Sequence, residues 1–285
     1  MSSTQRSASS EGDETRQFLT GIARGTGGAL LFALPIFMTM EMWFLGLYID
    51  RTKLFLLCAL NIPLLILLAH RIGFEKTADW KEACRDAAIA FGLAIIVSTA
   101  ILILFGILDD QATRSNVIAK VALQAVPASI GALLGRSQLG AHSEEEDEEN
   151  EGSTETSYVM ELFMMMVGAL FLNLNVAPTE EMILIGYKIT PYHTLLLVIL
   201  SILIMHGFVY ALHFKGSHRH AENGRGWHSL VRFTLPGYVI ALAMSAYTLW
   251  TFERLGDTSL SQMISAIVIL GFPAAIGAAS ARLIL

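Results

Sequence analysis

Eight runs of apolar residues, each long enough to cross a hydrocarbon layer, constrain this chain more than any other feature. They fall near 26–49, 53–70, 87–108, 117–135, 158–186, 192–213, 231–252 and 262–281. A bilayer core about 30 Å thick needs about 20 helical residues at 1.5 Å each. Within lipid every backbone N–H and C=O must be paired inside its own segment, so such runs are expected as helices. Composition agrees: 54% of the 285 residues are hydrophobic, 15% are charged, and the mean hydropathy is +0.55. These values lie outside the range of ordinary soluble domains and predict an all-α membrane protein with eight transmembrane helices.

The runs are not independent of one another. "GALLFALPIFMTMEMWFLG" (28–46) and "GALFLNLNVAPTEEMILIG" (168–186) match without a gap at 8 of 19 positions, among them Thr39/Thr179, Glu41/Glu181 and Met42/Met182. "VPASIGALLGR" (126–136) matches "FPAAIGAASAR" (272–282) at 6 of 11 positions. Between these anchors Trp80, Arg85, Ser98, Phe105 and Asp110 recur 147 residues later as Trp227, Arg232, Ser245, Phe252 and Asp257. Shared order of Thr, Glu, Trp, Arg, Pro and Asp is more than compositional bias supplies, so the expected architecture is two tandem four-helix repeats. An even number of spans per repeat gives both the same orientation, which predicts a parallel pair.

Charge divides the chain further. Eight of the 25 acids fall in "SEEEDEENEGSTE" (143–155), and without them 19 basic residues face 17 acidic ones, a net +2 in place of −6. That segment is expected to be a flexible tether, because it has too little apolar area to repay ordering. The expected divisions are a disordered tail at 1–17, a first repeat at 18–140, the acidic linker at 141–157 and a second repeat at 158–285. Thirteen of the 19 basic residues lie in the tail, the C-terminus and the loops after spans two, four and six. The positive-inside rule therefore predicts cytoplasmic termini and a multi-pass plasma-membrane protein. The polar first 15 residues do not read as a cleavable signal sequence. Cys58 and Cys84 form no ligand pattern and are expected to be packing residues.

The repeated glutamates are the main candidates for chemistry. Counting 17 residues from Arg24 to Glu41, about 25 Å of helix, puts Glu41 in the outer part of the membrane. A carboxylate at the centre of a span costs about 2.5–3.5 kcal/mol on insertion scales, so something must offset it. One account is a cation or proton site in which Glu41 and Glu181 are joined by oxygen ligands from Thr39, Thr179, Asn173 and Asn175. A second is an internal ion pair with Lys120, whose counterpart by repeat spacing is Ala266. A third places both carboxylates in wet headgroups. Pro35 and Pro178 each remove a backbone donor and can open a helix beside these sites.

Histidines offer two weaker signals. His213, His218, His220 and His228 cluster in "HFKGSHRHAENGRGWH", a pattern that reads either as a metal site or as basic loop decoration near anionic lipid. His206 lies inside the sixth run, as a buried hydrogen-bonded side chain or as a proton relay. The methionines of "MELFMMMVG" (160–168) read as lipid-facing or gap-filling residues. Small residues in "GALLG" (131–135) and "GAASA" (277–281) allow close helix approach and are expected to join the fourth and eighth spans. No Walker loop, H-E-x-x-H or G-x-S-x-G occurs, so neither an enzyme nor a cofactor is expected, nor any partner among nucleic acids.

The paired "T-x-E-M" motifs and the core "FALPIFMTMEMW" resemble an uncharacterised microbial family of multi-pass integral membrane proteins. The likeness covers nearly everything outside the tail and linker. It implies residence in the lipid bilayer and brings no activity with it. The expected function is a cation- or proton-linked transporter or channel, possible also as a homo-oligomer. The alternative is a non-transporting scaffold or sensor with structural glutamates.

Overall fold

The computed structural model describes residues 3–72, 80–108, 113–141, 158–216, 230–256 and 258–281. In chain order they form α1 (Ser3–Phe37), α2 (Met40–Tyr48), α3 (Arg51–Ile72), α4 (Trp80–Leu104), α5 (Arg114–Ala141), α6 (Tyr158–Val176), α7 (Glu180–Lys188) and α8 (Pro191–Gly216). A π-helical turn at Leu230–Thr234 then leads into α9 (Leu235–Thr251), and α10 (Leu260–Ala281) follows. Among the described residues there are eight helical segments long and apolar enough to cross a membrane, and no strand.

The first and fifth apolar runs do not continue as single helices. Leu19–Phe37 and Tyr158–Val176, each of 19 residues, are the spanning parts, and each is followed by a short helix of 9 residues, α2 or α7. Pro35 lies two residues before the end of α1, where it removes a backbone donor. Pro178 stands between α6 and α7 and ends the ladder in the same way. Helix α1 itself begins at Ser3. Once the apolar turns are nucleated, each further residue costs little to add.

The chain packs as two units. The first comprises 1–38 and 54–151, the second 39–53 and 152–285. Thr39–Lys53, carrying the first T-x-E-M motif, packs with the second unit. The physical reason is a set of polar contacts to the end of α9. The Lys53 ammonium donates to the Trp250 carbonyl at 3.0 Å and lies 3.7 Å from Glu253 Oε1, which also accepts the Asp50 amide at 2.9 Å.

In the first unit α1 packs along α5, and α4 packs against both. The contact is backbone to backbone: a Cβ built on Gly28 would stand 2.7 Å from the Gly135 Cα, and one on Gly131 2.8 Å from the Phe32 Cβ. In the second unit α6 packs on α10 through Gly168 and Gly277, where a Cβ on Gly168 would meet the Gly277 carbonyl carbon at 2.8 Å. The small residues expected to join the fourth and eighth spans are thus taken up within each unit by its own first helix. The second core gathers Met165, Ala169, Met205, Tyr238, Ala241 and Ala274. Met164 and Met165 are fully buried, in the gap-filling role. Both cysteines are free.

Candidate functional site

Each glutamate of the repeated motif opens a short helix. Thr39 and Thr179 hold extended backbone at the N-caps of α2 and α7, and Glu41 and Glu181 fall in the first turns. A carboxylate there faces unpaired N–H groups and the positive end of the helix dipole, a stabilising position. The 19-residue helices preceding them are about 28 Å long, so both carboxylates come just beyond a full membrane crossing. Glu41 is half-buried and Glu181 exposed. Neither carboxylate makes a hydrogen bond or ion pair among the described residues. The methionines that follow, Met42 and Met182, are buried and anchor the two short helices.

The other residues of the expected ion site are engaged elsewhere. Thr179 Oγ1 donates to the Val176 carbonyl at 2.9 Å, and Asn175 Nδ2 to the Phe171 carbonyl at 2.8 Å. Asn173 is fully buried between helices, its amide 3.2 Å from Ser245 Oγ. Turned so that its nitrogen faces the Leu270 carbonyl at 3.2 Å, the same amide accepts from Ser245 and ties α6, α9 and α10 together. Lys120 donates to the Ile107 carbonyl at 3.2 Å, in the turn that ends α4. His206 Nδ1 lies 3.0 Å from Thr234 Oγ1, the last residue of the π-helical turn. Pro236, which has no N–H, stands two residues after the end of that turn.

His218, His220 and His228 lie outside the described residues, as do residues 142–157 of the acidic linker 141–157 and the side chain of His213. Among the described residues no three His, Cys, Asp or Glu side chains gather as a metal set.

A more deeply buried polar group was present in the sequence but carried no motif. In the first unit Asn61, Asp86, Ser98, Gln124 and Ser129 are all buried, at 0 to 3% exposure. Asn61 Nδ2 donates to Ser129 Oγ at 3.0 Å, and that hydroxyl donates to the Val126 carbonyl at 2.7 Å. Arg85 Nε stands 3.6 Å from Asp86 Oδ1. Asn61 Oδ1, Ser98 Oγ and both amide atoms of Gln124 have no hydrogen-bond partner among the described residues. Gln124 sits in the middle of the Arg114–Gly135 span. Its signal was an amide in the apolar run "VALQAVPASIG".

In the second unit the buried polar residues of α9 and the turn before it recur at helical spacing: Thr234, Tyr238, Ser245, Thr248 and Thr251. The last three hydroxyls each donate to the carbonyl four residues back at 2.8 Å. At the end of this row Glu253 has a φ of 61° and Arg254 donates to the Pro178 carbonyl. Outside the spans, the Lys53 amide, and after it that of Thr52, hold the Asp50 carboxyl below the usual carboxylate range by donating to it at 3.0 and 2.8 Å.

No curated protein and no solved structure matches the chain. A family model described as "Putative integral membrane protein (DUF2391)" matches residues 21–285, which takes in all eight spans but for the first two residues of the first. The apolar helices and this match together place the chain in the DUF2391 family, as an integral membrane protein of several spans.

Proposed function

We propose that the protein is a cation- or proton-linked transporter or channel of the plasma membrane, with both termini cytoplasmic and no enzymatic activity. The observation that carries this reading is Gln124, fully buried at mid-span with both amide atoms unpartnered among the described residues. Leaving a buried polar group unmade costs about 1–3 kcal/mol. A permeating cation, hydronium or the water that accompanies it offsets that cost, with Ser98 Oγ and Asn61 Oδ1 as further oxygen ligands. Glu41 and Glu181 draw cations to the ends of the spans. His206 with Thr234, and Asn173 with Ser245, form the polar interior of the second unit.

Two tandem four-helix repeats in parallel orientation belong to this reading, and two pairs of matched positions support them. Gly28 and Gly168 make the same backbone contact in their respective units, and Gly106 and Glu253, 147 positions apart, both have positive φ. A second reading is favoured by the place of Glu41 and Glu181 in first helical turns: the glutamates stabilise helix starts, and the protein is a scaffold or sensor.

Reconstitution in liposomes separates the two. Wild-type protein should carry protons or a monovalent or divalent cation, and Gln124→Leu should lower that flux at least tenfold in a folded protein. Glu41→Gln/Glu181→Gln should weaken it less. Absence of flux above empty liposomes for every cation would sink the transporter reading in favour of the scaffold.

A further inference from the structure

Beside Arg254 lies a cavity of about 20 Å³, lined by Ile183, Gly186 and Tyr187 of α7, by Thr258, and by Gln262 and Ala266 of α10. That volume holds about one water-sized occupant. Arg254 reaches it from the turn after α9. The guanidinium makes one described hydrogen bond, to the Pro178 carbonyl, and its Nε is buried without a partner. No carboxylate pairs with it among the described residues. Asp257 lies outside them.

Of the remaining polar lining, the Gln262 amide is set to donate, while the Thr258 hydroxyl has its one proton engaged. Gln262 Oε1 is already occupied by the Ser259 amide at 3.1 Å and the Ser259 hydroxyl at 3.2 Å, which leaves its NH2 for another acceptor. The Thr258 hydroxyl donates to the Leu255 carbonyl at 3.2 Å. The cavity also lies by the first turns of α10, a 22-residue helix whose N-terminal dipole end is positive. A half-buried cation, a free amide donor and a helix N-terminus therefore converge on a space of about the size of one water, and the described lining supplies no anionic partner.

We propose that this cavity binds a halide-sized inorganic anion, with chloride as the probe. Arg254 supplies the charge, and Gln262 supplies a donor through Nε2. The site is independent of whether the protein transports cations.

The test uses the full-length protein purified in detergent, with thermal unfolding followed as sodium chloride replaces sodium gluconate at constant ionic strength. The wild type should show a saturable rise in Tm, reproduced by bromide and not by sulfate. Arg254→Gln should abolish the response. Gln262→Glu keeps the acceptor for Ser259 and adds a built-in anion, so it should fold and lose the response too. Gln262→Leu removes one donor and should weaken apparent chloride affinity about tenfold. Equal Tm in chloride and gluconate overturns the proposal, as would follow if water fills the cavity or Asp257 is the counter-charge. A wild-type chloride response in Arg254→Gln or Gln262→Glu overturns it as well.

Discussion

Lys53 Nζ lies 3.7 Å from Glu253 Oε1 and 5.1 Å above the ring of Trp250, tying the segment that carries the first T-x-E-M motif to the turn at the end of α9. Glu253 pays for this position with a φ of 61°, a region where L side chains are disfavoured by about 1–2 kcal/mol. At the position 147 residues earlier, Gly106 takes a φ of 69° without that cost.

The strain and the contacts can be separated by substitution. Glu253→Ala keeps the backbone cost and loses the acceptor for the Asp50 amide, so it should destabilise the protein by about 1–2 kcal/mol. Glu253→Gly loses the same contacts but relieves the backbone, and should be about 1 kcal/mol more stable than the alanine variant. Gly106→Ala meets no atom within 4 Å, so its loss of about 1 kcal/mol is purely conformational. Denaturant unfolding in micelles measures all three. Equal stability of Glu253→Ala and Glu253→Gly would contradict the left-handed turn.

Asp50 predicts a pH dependence with a defined sign. Backbone donation from Lys53 and Thr52 depresses the folded carboxyl below its unfolded value. Its contribution is therefore present above the ordinary carboxylate pKa and is lost as pH falls through the lowered folded value. Wild-type Tm should drop on acidification below about pH 4, near the ordinary Asp value, and Asp50→Asn should show a smaller drop over the same range. Parallel curves for the two proteins would remove Asp50 as the cause.

The glycine contacts predict opposite signs at different sites. A methyl on Gly168 meets the Gly277 backbone and the Ala281 Cβ, and one on Gly28 meets the Gly135 backbone. Neither backbone can yield without separating the helices, so Gly28→Ala and Gly168→Ala should each cost about 1–3 kcal/mol. Gly92 and Gly207 are also helical, yet a methyl on either meets nothing within 4 Å. Gly92→Ala should instead stabilise by roughly 0.5–1 kcal/mol through backbone entropy. Unfolding in micelles distinguishes them, and a stabilising Gly168→Ala would contradict the close α6–α10 contact.

The number of spans was legible because bilayer thickness fixes how long an apolar helix must be, whatever it packs against. The breaks after α1 and α6 were half legible: Pro35 and Pro178 marked them, but periodicity does not show that the following residues form a separate helix. Membership of Thr39–Lys53 in the second unit was not legible, since it depends on Glu253 and Trp250, some 200 residues away. Lys120 shows the same limit. Its sequence counterpart is Ala266, which suggested a charge present in one half only. The cavity beside Ala266 is instead lined by Arg254, so a different position supplies the cation there. Residues bonded across helices, such as Asn173 and Ser245, carry no mark that tells a packing bond from a ligand.

Gln124 and Asn173 provide the last prediction, because both are fully buried amides and only one is satisfied. Asn173 meets Ser245 and, with its nitrogen turned, the Leu270 carbonyl. Asn173→Leu strands those partners and should cost about 1–3 kcal/mol. Gln124 has no described partner to strand, and leucine removes two unmade hydrogen bonds while filling a similar volume. With no cation bound at the amide, Gln124→Leu should therefore stabilise the protein by about 1–3 kcal/mol. Proteins tolerate such a cost where function needs the polar group, so the same substitution should lower cation flux. Unfolding in micelles and flux in liposomes, measured on one preparation, test both halves. A destabilised Gln124→Leu that conducts normally would mean that the amide is satisfied in the membrane and takes no part in a route.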